Sequence, residues 1–185
     1  MAEAVVRSAQ VSDAGEITRI QMSTWRTAYA EILPAGVLAG LDETAAVGQW
    51  RHTIEHGPAQ VFVAGEGTFL VGFGTAGPAP EDEAADAAGR PPDDVASVAL
   101  VATLLVEPRW GRRGHGGRLL ARIGQAMRAG GSTRGICWVP EADSASLSFY
   151  RRAGWAPDGT VRTLEADGRR VREVRLTGPL DIELV

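Results

Sequence analysis

The chain has 185 residues, 44% of them hydrophobic, with 19 basic and 23 acidic side chains and a formal net charge of −4. This length supports one domain with its own core, and the acidic balance argues against general attraction to nucleic acid or to an anionic membrane surface. All nineteen basic residues are Arg, and without lysine neither Schiff-base chemistry nor a Walker-type phosphate lysine is available.

One cysteine, Cys137, cannot form an internal disulfide, and the N-terminus has no charged start followed by an apolar run, so a cytoplasmic location is expected. The apolar run from Val95 to Val106 is well short of the roughly 20 residues of a membrane-spanning helix.

In chain order, Val5 to Arg7 reads as an opening strand. Ser12 and Asp13 start a helix that carries Ile17, Ile20, Thr24 and Trp25 on one face and ends near Tyr29. Pro34 begins a short second helix with Val37, Leu38 and Leu41, and Asp42 or Thr44 caps a third that runs to about His56. Gln60–Ala64 and Thr68–Thr75 flank Gly65-Glu66-Gly67 as a hairpin. Residues 77–94 hold four prolines and six acidic residues with little apolar bulk, which predicts a solvated, mobile loop; a substrate lid is the alternative. Ala96 to Val106 is continuously apolar and predicts a central strand covered on both faces. A further strand at Gly135–Val139, a helix over 143–153 and two closing strands split near Asp167-Gly168 complete the order.

The strand ending at Val106 runs into glycines at 111, 114, 116 and 117 and then into a helix with Leu119, Leu120, Ile123 and Met127 on one face. Such a loop aims main-chain N–H groups and the positive helix end at one spot, where a phosphate or pyrophosphate is the natural guest. Arg109, Arg112, Arg113, Arg118 and Arg122 add cationic charge there. A glycine-rich turn before a helix with a solvated basic face fits the same residues. Dinucleotide binding fits less well, because Leu119 stands at the third glycine position and no acid closes the next strand.

Downstream, Asp143 can cap a helix on which Ala145, Phe149 and Ala153 share one face, while Asp143, Ser146 and Tyr150 share another that can look into a cleft. A surface helix with Tyr150 packed for stability is the plainer reading.

Together these two segments resemble the GCN5-related N-acetyltransferase (GNAT) family. Gly114 and Gly116 fall on the glycines of its acyl-CoA motif, Gln/Arg-x-x-Gly-x-Gly/Ala, with Gly111 at the first position and Arg112 where glycine is frequent. In the second motif, Asn-x-x-Ala-x-x-Phe-Tyr-x-x-x-Gly-Phe, Phe149, Tyr150 and Gly154 match; Asp143 replaces the Asn, Ser146 the Ala and Trp155 the final Phe. Two motifs in order, about thirty residues apart, are more specific than either alone.

The resemblance implies a single α/β (α+β) domain over 1–185, in which a mixed, mostly antiparallel sheet flanked by helices splays open beside the phosphate loop. It implies acetyl-CoA as cosubstrate, with no metal, and direct transfer of acetyl to a primary amine of a small molecule, protein or peptide. Arg112, Arg113, Gly114, His115, Gly116 and Gly117 would wrap the pyrophosphate. Leu104, Leu105 and Val106 would pair with the pantetheine arm, a main-chain N–H near Leu105 or Val106 would polarise the acyl carbonyl, and Asp143 would lie along the coenzyme. Tyr150 would stand near the sulfur as general acid. A homodimer is an assembly common among relatives.

Many relatives carry a Glu on the long strand before the loop, whereas SVALVATLL here has no acid; Glu107 lies one step beyond and is expected to turn outward. No base is assigned, and a CoA-binding module of the same fold without catalysis is the alternative reading; a nucleotide-dependent oxidoreductase is a more distant one. His52 and His56 at i, i+4 read as a solvated helix face rather than metal ligands, and Cys137 as a small buried residue. Trp25, Tyr29 and Trp50 are assigned first to packing, with acceptor contact as the second option.

Overall fold

A computed structural model describes residues 4–182, the side chain of Ala166 excepted; residues 1–3 and 183–185 of the span expected as one domain lie outside it. The elements are β1 (Ala4–Ser8), α1 (Ala14–Ala28), α2 (Ala35–Ala39), α3 (Glu43–His56), β2 (Gln60–Glu66), β3 (Phe69–Pro78), α4 (Glu81–Ala84), β4 (Val98–Val106), α5 (His115–Ala129), β5 (Arg134–Pro140), α6 (Ser144–Arg152), β6 (Ala156–Ala166) and β7 (Arg169–Gly178). The strands form one seven-stranded sheet in the order β1-β2-β3-β4-β5-β7-β6, antiparallel throughout except between β4 and β5.

Helices cover both faces. Ile17 and Ile20 of α1 are fully buried against Val63, Phe73 and Leu105, with Trp25 and Trp50 at the margin. On the other side α5 presents Leu119, Leu120, Ile123 and Met127 to Phe62, Val71, Ala99 and Val101. Each apolar stripe repeats at helical spacing and meets one face of the sheet, so both layers gain by burial. The Asp42 carboxylate accepts the Ala45 N–H at 3.0 Å and fixes the start of α3.

Two strands shape the site. β3 and β4 stay paired to Gly72↔Val106, but the register shifts between Thr75↔Thr103 and Ala76↔Val101, which leaves Ala102 as an extra residue on β4. β4 and β5 are paired only over Val98–Leu100 with Arg134–Ile136. Beyond that the strands part, so the second half of β4 borders a cleft and Ala102 is exposed. The apolar run was expected to be covered on both faces; its later residues instead line an opening, because the neighbouring strand diverges.

Residues 77–94 are more structured than their composition suggests. They begin as the end of β3 and include the single turn of α4, and Ala84 and Ala85 are buried. Arg175 donates to the main-chain carbonyls of Glu83 and Ala85, Arg162 pairs with Glu83, and Arg134 pairs with Asp94. Glu83 and Asp94 are thus partners for arginines of β6 and β5, and β7 holds the segment through its main-chain carbonyls.

Trp155, where the family motif ends in Phe, is among the largest buried side chains, and its indole N–H donates to the Pro179 carbonyl at 3.0 Å. The ring lies directly over the Gly178 main chain, so a Cβ there would overlap it. Gly178→Ala should therefore destabilise the fold by about 1–3 kcal/mol although alanine is ordinarily the better strand residue. Urea denaturation of the two proteins measures this directly.

Candidate active site at the parting of two strands

The loop from Glu107 to Gly114 is built on short-range turns. Trp110 N–H bonds the Glu107 carbonyl and Gly111 N–H the Pro108 carbonyl. Arg112 and Gly114 then adopt left-handed φ angles of 62° and 79°, the second at the N-cap of α5. Among the described residues no backbone or side-chain acceptor takes a hydrogen bond from the six consecutive amides of Arg112 to Gly117. Three belong to the first turn of a fifteen-residue helix, where donors have no internal partner. The arrangement is a cluster of amide donors at a positive helix end.

The arginines there divide their tasks. Arg113 pairs with Glu66 at 3.0 Å and stacks over Trp110, and Arg118 folds back to donate to the Arg113 carbonyl at 2.8 Å. These two side chains hold the loop in shape, whereas the Arg112 side chain is exposed. His115 is buried, with Nε2 2.7 Å from Glu66 Oε2, so only its main chain faces the loop's mouth. Hydrogen bonding from His115, together with the charge of Arg113, holds the Glu66 carboxyl below its ordinary pKa despite some desolvation. Gly116 lies against the Phe149 ring, which ties the start of α5 to α6.

From this loop the cleft runs between β4 and β5 as a cavity of about 270 Å³, lined by residues 101–105 of β4 and 137–140 of β5. Leu104 and Leu105 line it; Val106 lies at the strand's end, next to the loop. The Glu107 N–H bonds the Val71 carbonyl on β3. By the two-residue alternation of a strand, the Leu104 and Val106 amides point the other way, to the unpaired edge.

Tyr150 of α6 reaches the cleft from the α5 side and is 6% exposed. Its ring packs beside Phe149 and Trp155, with centroids at 5.1 and 5.2 Å. Burial first, then the neighbouring Cys137 thiol, pushes the phenol well above its ordinary pKa, so it holds its proton at neutral pH. Cys137 is itself pushed up to about 12 by burial, which leaves a neutral thiol and no nucleophile. Asp143 caps α6: its carboxylate accepts the Ser146 N–H at 3.0 Å, the Ser146 hydroxyl at 2.6 Å and the Tyr29 hydroxyl at 2.9 Å. That last bond joins α1 to α6 across the cleft.

Glu107 differs from its expected outward turn. It is buried, with oxygens 2.9 Å from Arg19 and 3.1 Å from Arg109. Burial alone would raise its pKa, but the two guanidiniums outweigh this and hold it below the ordinary value. The side chain turns in because Arg19 of α1 and Arg109 of the loop need a shared counter-ion, and it does not line the cleft. The carboxylate that does is Glu173 of β7, which sequence reasoning passed over because a single acid on a closing strand carries no motif. Trp25 and Tyr29 line the cleft, whereas Trp50 packs edge-on to Phe73 and bonds Gln21. His52 and His56 lie ring against ring on an exposed face, and no group of three or more metal-binding side chains occurs among the described residues. Among those residues, no helix is long and apolar enough to cross a membrane.

Comparison with known proteins gives a consistent result. The family model described as acetyltransferase (GNAT) domain matches residues 57–157. The uncharacterized N-acetyltransferase YuaI of Bacillus subtilis (strain 168) is 30% identical over 177 residues, covering 94% of this chain and 92% of YuaI. Among solved structures, yncA from Salmonella typhimurium with its cofactor acetyl-CoA superposes with a TM-score of 0.70 at 17% identity, covering 100% of this chain and 98% of the other. The ribosomal-protein-alanine N-acetyltransferase from Brucella melitensis gives 0.71 at 18% identity, over 95% and 99% of the two chains. PaiA N-acetyltransferase from Thermoplasma acidophilum, solved with coenzyme A, gives 0.67 at 15%, over 96% and 99%. A seven-stranded sheet that opens at β4 and β5, a donor-rich loop at that opening and a match through both motifs lead to one assignment: this chain belongs to the GNAT family of acetyl-CoA-dependent N-acetyltransferases.

Proposed function

We propose that the enzyme passes acetyl directly from acetyl-CoA to a primary amine of a small molecule or peptide, with the coenzyme's pyrophosphate on the amides of Arg112–Gly117 and Tyr150 as general acid. The observation that carries this reading is the run of six amides without protein acceptors, at the N-terminus of α5 and beside the open edge of β4. Acetyl-CoA supplies an activated thioester. Leu104 and Val106 offer main-chain donors along the unpaired strand edge, so Val106 rather than Leu105 is suited to polarise the acyl carbonyl. Tyr150 keeps a proton for the departing sulfur as the neutral amine nitrogen bonds the acetyl carbon and the carbon–sulfur bond breaks, and the nitrogen gives up its surplus proton to solvent, from which the tyrosine is reprotonated. Asp143 supports the site by fixing Tyr29 and the start of α6. The cytoplasm, the compartment expected from the sequence, would provide the acetyl donor.

Tyr150→Phe should lower kcat on the order of 100-fold while leaving acetyl-CoA affinity nearly unchanged. Steady-state thiol release and calorimetric titration read the two quantities separately, and equal losses in both would remove the role. Turnover of any amine also separates the enzyme from a CoA-binding module without catalysis. Because burial raises the Tyr150 pKa, its acid form persists as pH rises through 9; kcat should not fall between pH 7 and 9 through loss of this proton.

Gly114→Ala forces a side chain into a left-handed position and against the Arg118 guanidinium. The strain tilts the amides that follow, so acetyl-CoA should bind about tenfold more weakly by calorimetry.

A further inference from the structure

The acceptor end of the cleft has a definite chemical character. Trp25 of α1, Leu33 and Pro34 of the connection that follows it and Val37 of α2 face Leu164 and Val171, from β6 and β7, across it. Tyr29 adds its ring, since its hydroxyl is taken by Asp143. Among the lining residues only Glu173 carries a formal charge, and no Arg, Lys or His lines the cavity. One oxygen of Glu173 accepts from Arg162 at 2.6 Å; its other oxygen, Oε1, takes no hydrogen bond from the described residues. Arg162 is shared with Glu83 at 2.8 Å and stacked over Trp138 at 4.3 Å, so two carboxylates share one guanidinium and a net negative charge remains.

An apolar chamber with a single anionic group suits a cation with an apolar body. It suits an amino acid poorly, because nothing in it would compensate a carboxylate, and burying an unpaired charge is costly. Resting on the N-acetyltransferase reading above, we propose that the acceptor is a small primary amine with an aryl or branched alkyl body and no carboxylate, its ammonium received by Glu173 before transfer. Glu173 is here an acceptor-binding residue, and the cavity of about 270 Å³, part of which the acetyl group must occupy, limits the size of that body.

The test measures kcat and KM for 2-phenylethylamine and isoamylamine against phenylalanine and leucine, which share the bodies but add a carboxylate, and against a tripeptide with a free N-terminus. The two amines should exceed the other acceptors at least tenfold in kcat/KM. Glu173→Gln should raise KM for them about 10- to 100-fold, with KM for acetyl-CoA and the melting temperature little changed. Leu164→Arg, at the exposed rim, should shift preference toward phenylalanine. Preference for the amino acids or the tripeptide, or an unchanged amine KM in Glu173→Gln, overturns the proposal. Acetyl-CoA uptake without transfer to either amine overturns the acceptor class alone, whereas absence of acetyl-CoA uptake in calorimetry removes the underlying reading as well.

Discussion

The separation of β4 from β5 is the constraint on which the rest of the molecule depends. Their pairing is limited to Val98–Leu100 with Arg134–Ile136, and beyond it β4 keeps β3 on one side but is left without a strand on the other, in the middle of a sheet. An unpaired strand edge inside a protein is costly unless something replaces the missing partner. Here the edge faces an open cleft, and the chain continues directly into a loop whose amides from Arg112 onward have no acceptor among the described residues. Divergence, bulge and loop follow one another along β4, so in the proposed function a single strand would position the thioester arm and its phosphates.

The walls of the cleft come from opposite faces of the sheet, which is why its assembly depends on long-range contacts. Tyr150 descends from α6 and Tyr29 from α1, and Asp143 joins them through the Tyr29 hydroxyl. Glu66, at the end of β2, holds Arg113 and His115 in place. Glu107 holds Arg19 and Arg109 in the same way, one residue after β4. In each case a carboxylate near a strand end holds two basic side chains from other elements. The positive charge of the loop thereby serves largely its own architecture, and in the proposed function the main chain is the binding surface.

Much of this was legible in the sequence because it depends on local pattern. The helical spacing of Leu119, Leu120, Ile123 and Met127, the glycines before them and the Asp143 cap each announce an element from neighbouring residues alone, and all are found in place. The divergence of β4 and β5 followed from the family resemblance and not from the apolar run, which by itself read as a strand covered on both faces. Glu107 was misjudged because its partner Arg19 lies 88 residues away, beyond any local pattern. Glu173 went unnoticed for the same reason: its importance comes from cross-strand pairing with Arg162 and from the cleft beneath it. Residues 77–94 have the composition of a solvated loop, and only the arginines of β5, β6 and β7 reveal what their acidic side chains and carbonyls are for.

Those arginines give the acidic segment a significance beyond its own surface. Arg162 joins Glu83 to Glu173, and Arg175, nearly buried, spends donors on the Glu83 and Ala85 carbonyls. Trimming this excursion in protein engineering would take one of two carboxylate partners from Arg162 and two carbonyl acceptors from Arg175, leaving the first on Glu173 and the second on Asp158. A shortened version would leave Arg162 to Glu173 alone, and that change would be felt at the carboxylate proposed to receive the amine. What looks in the primary structure like a dispensable ornament is thus tied to the proposed amine site through one shared cation.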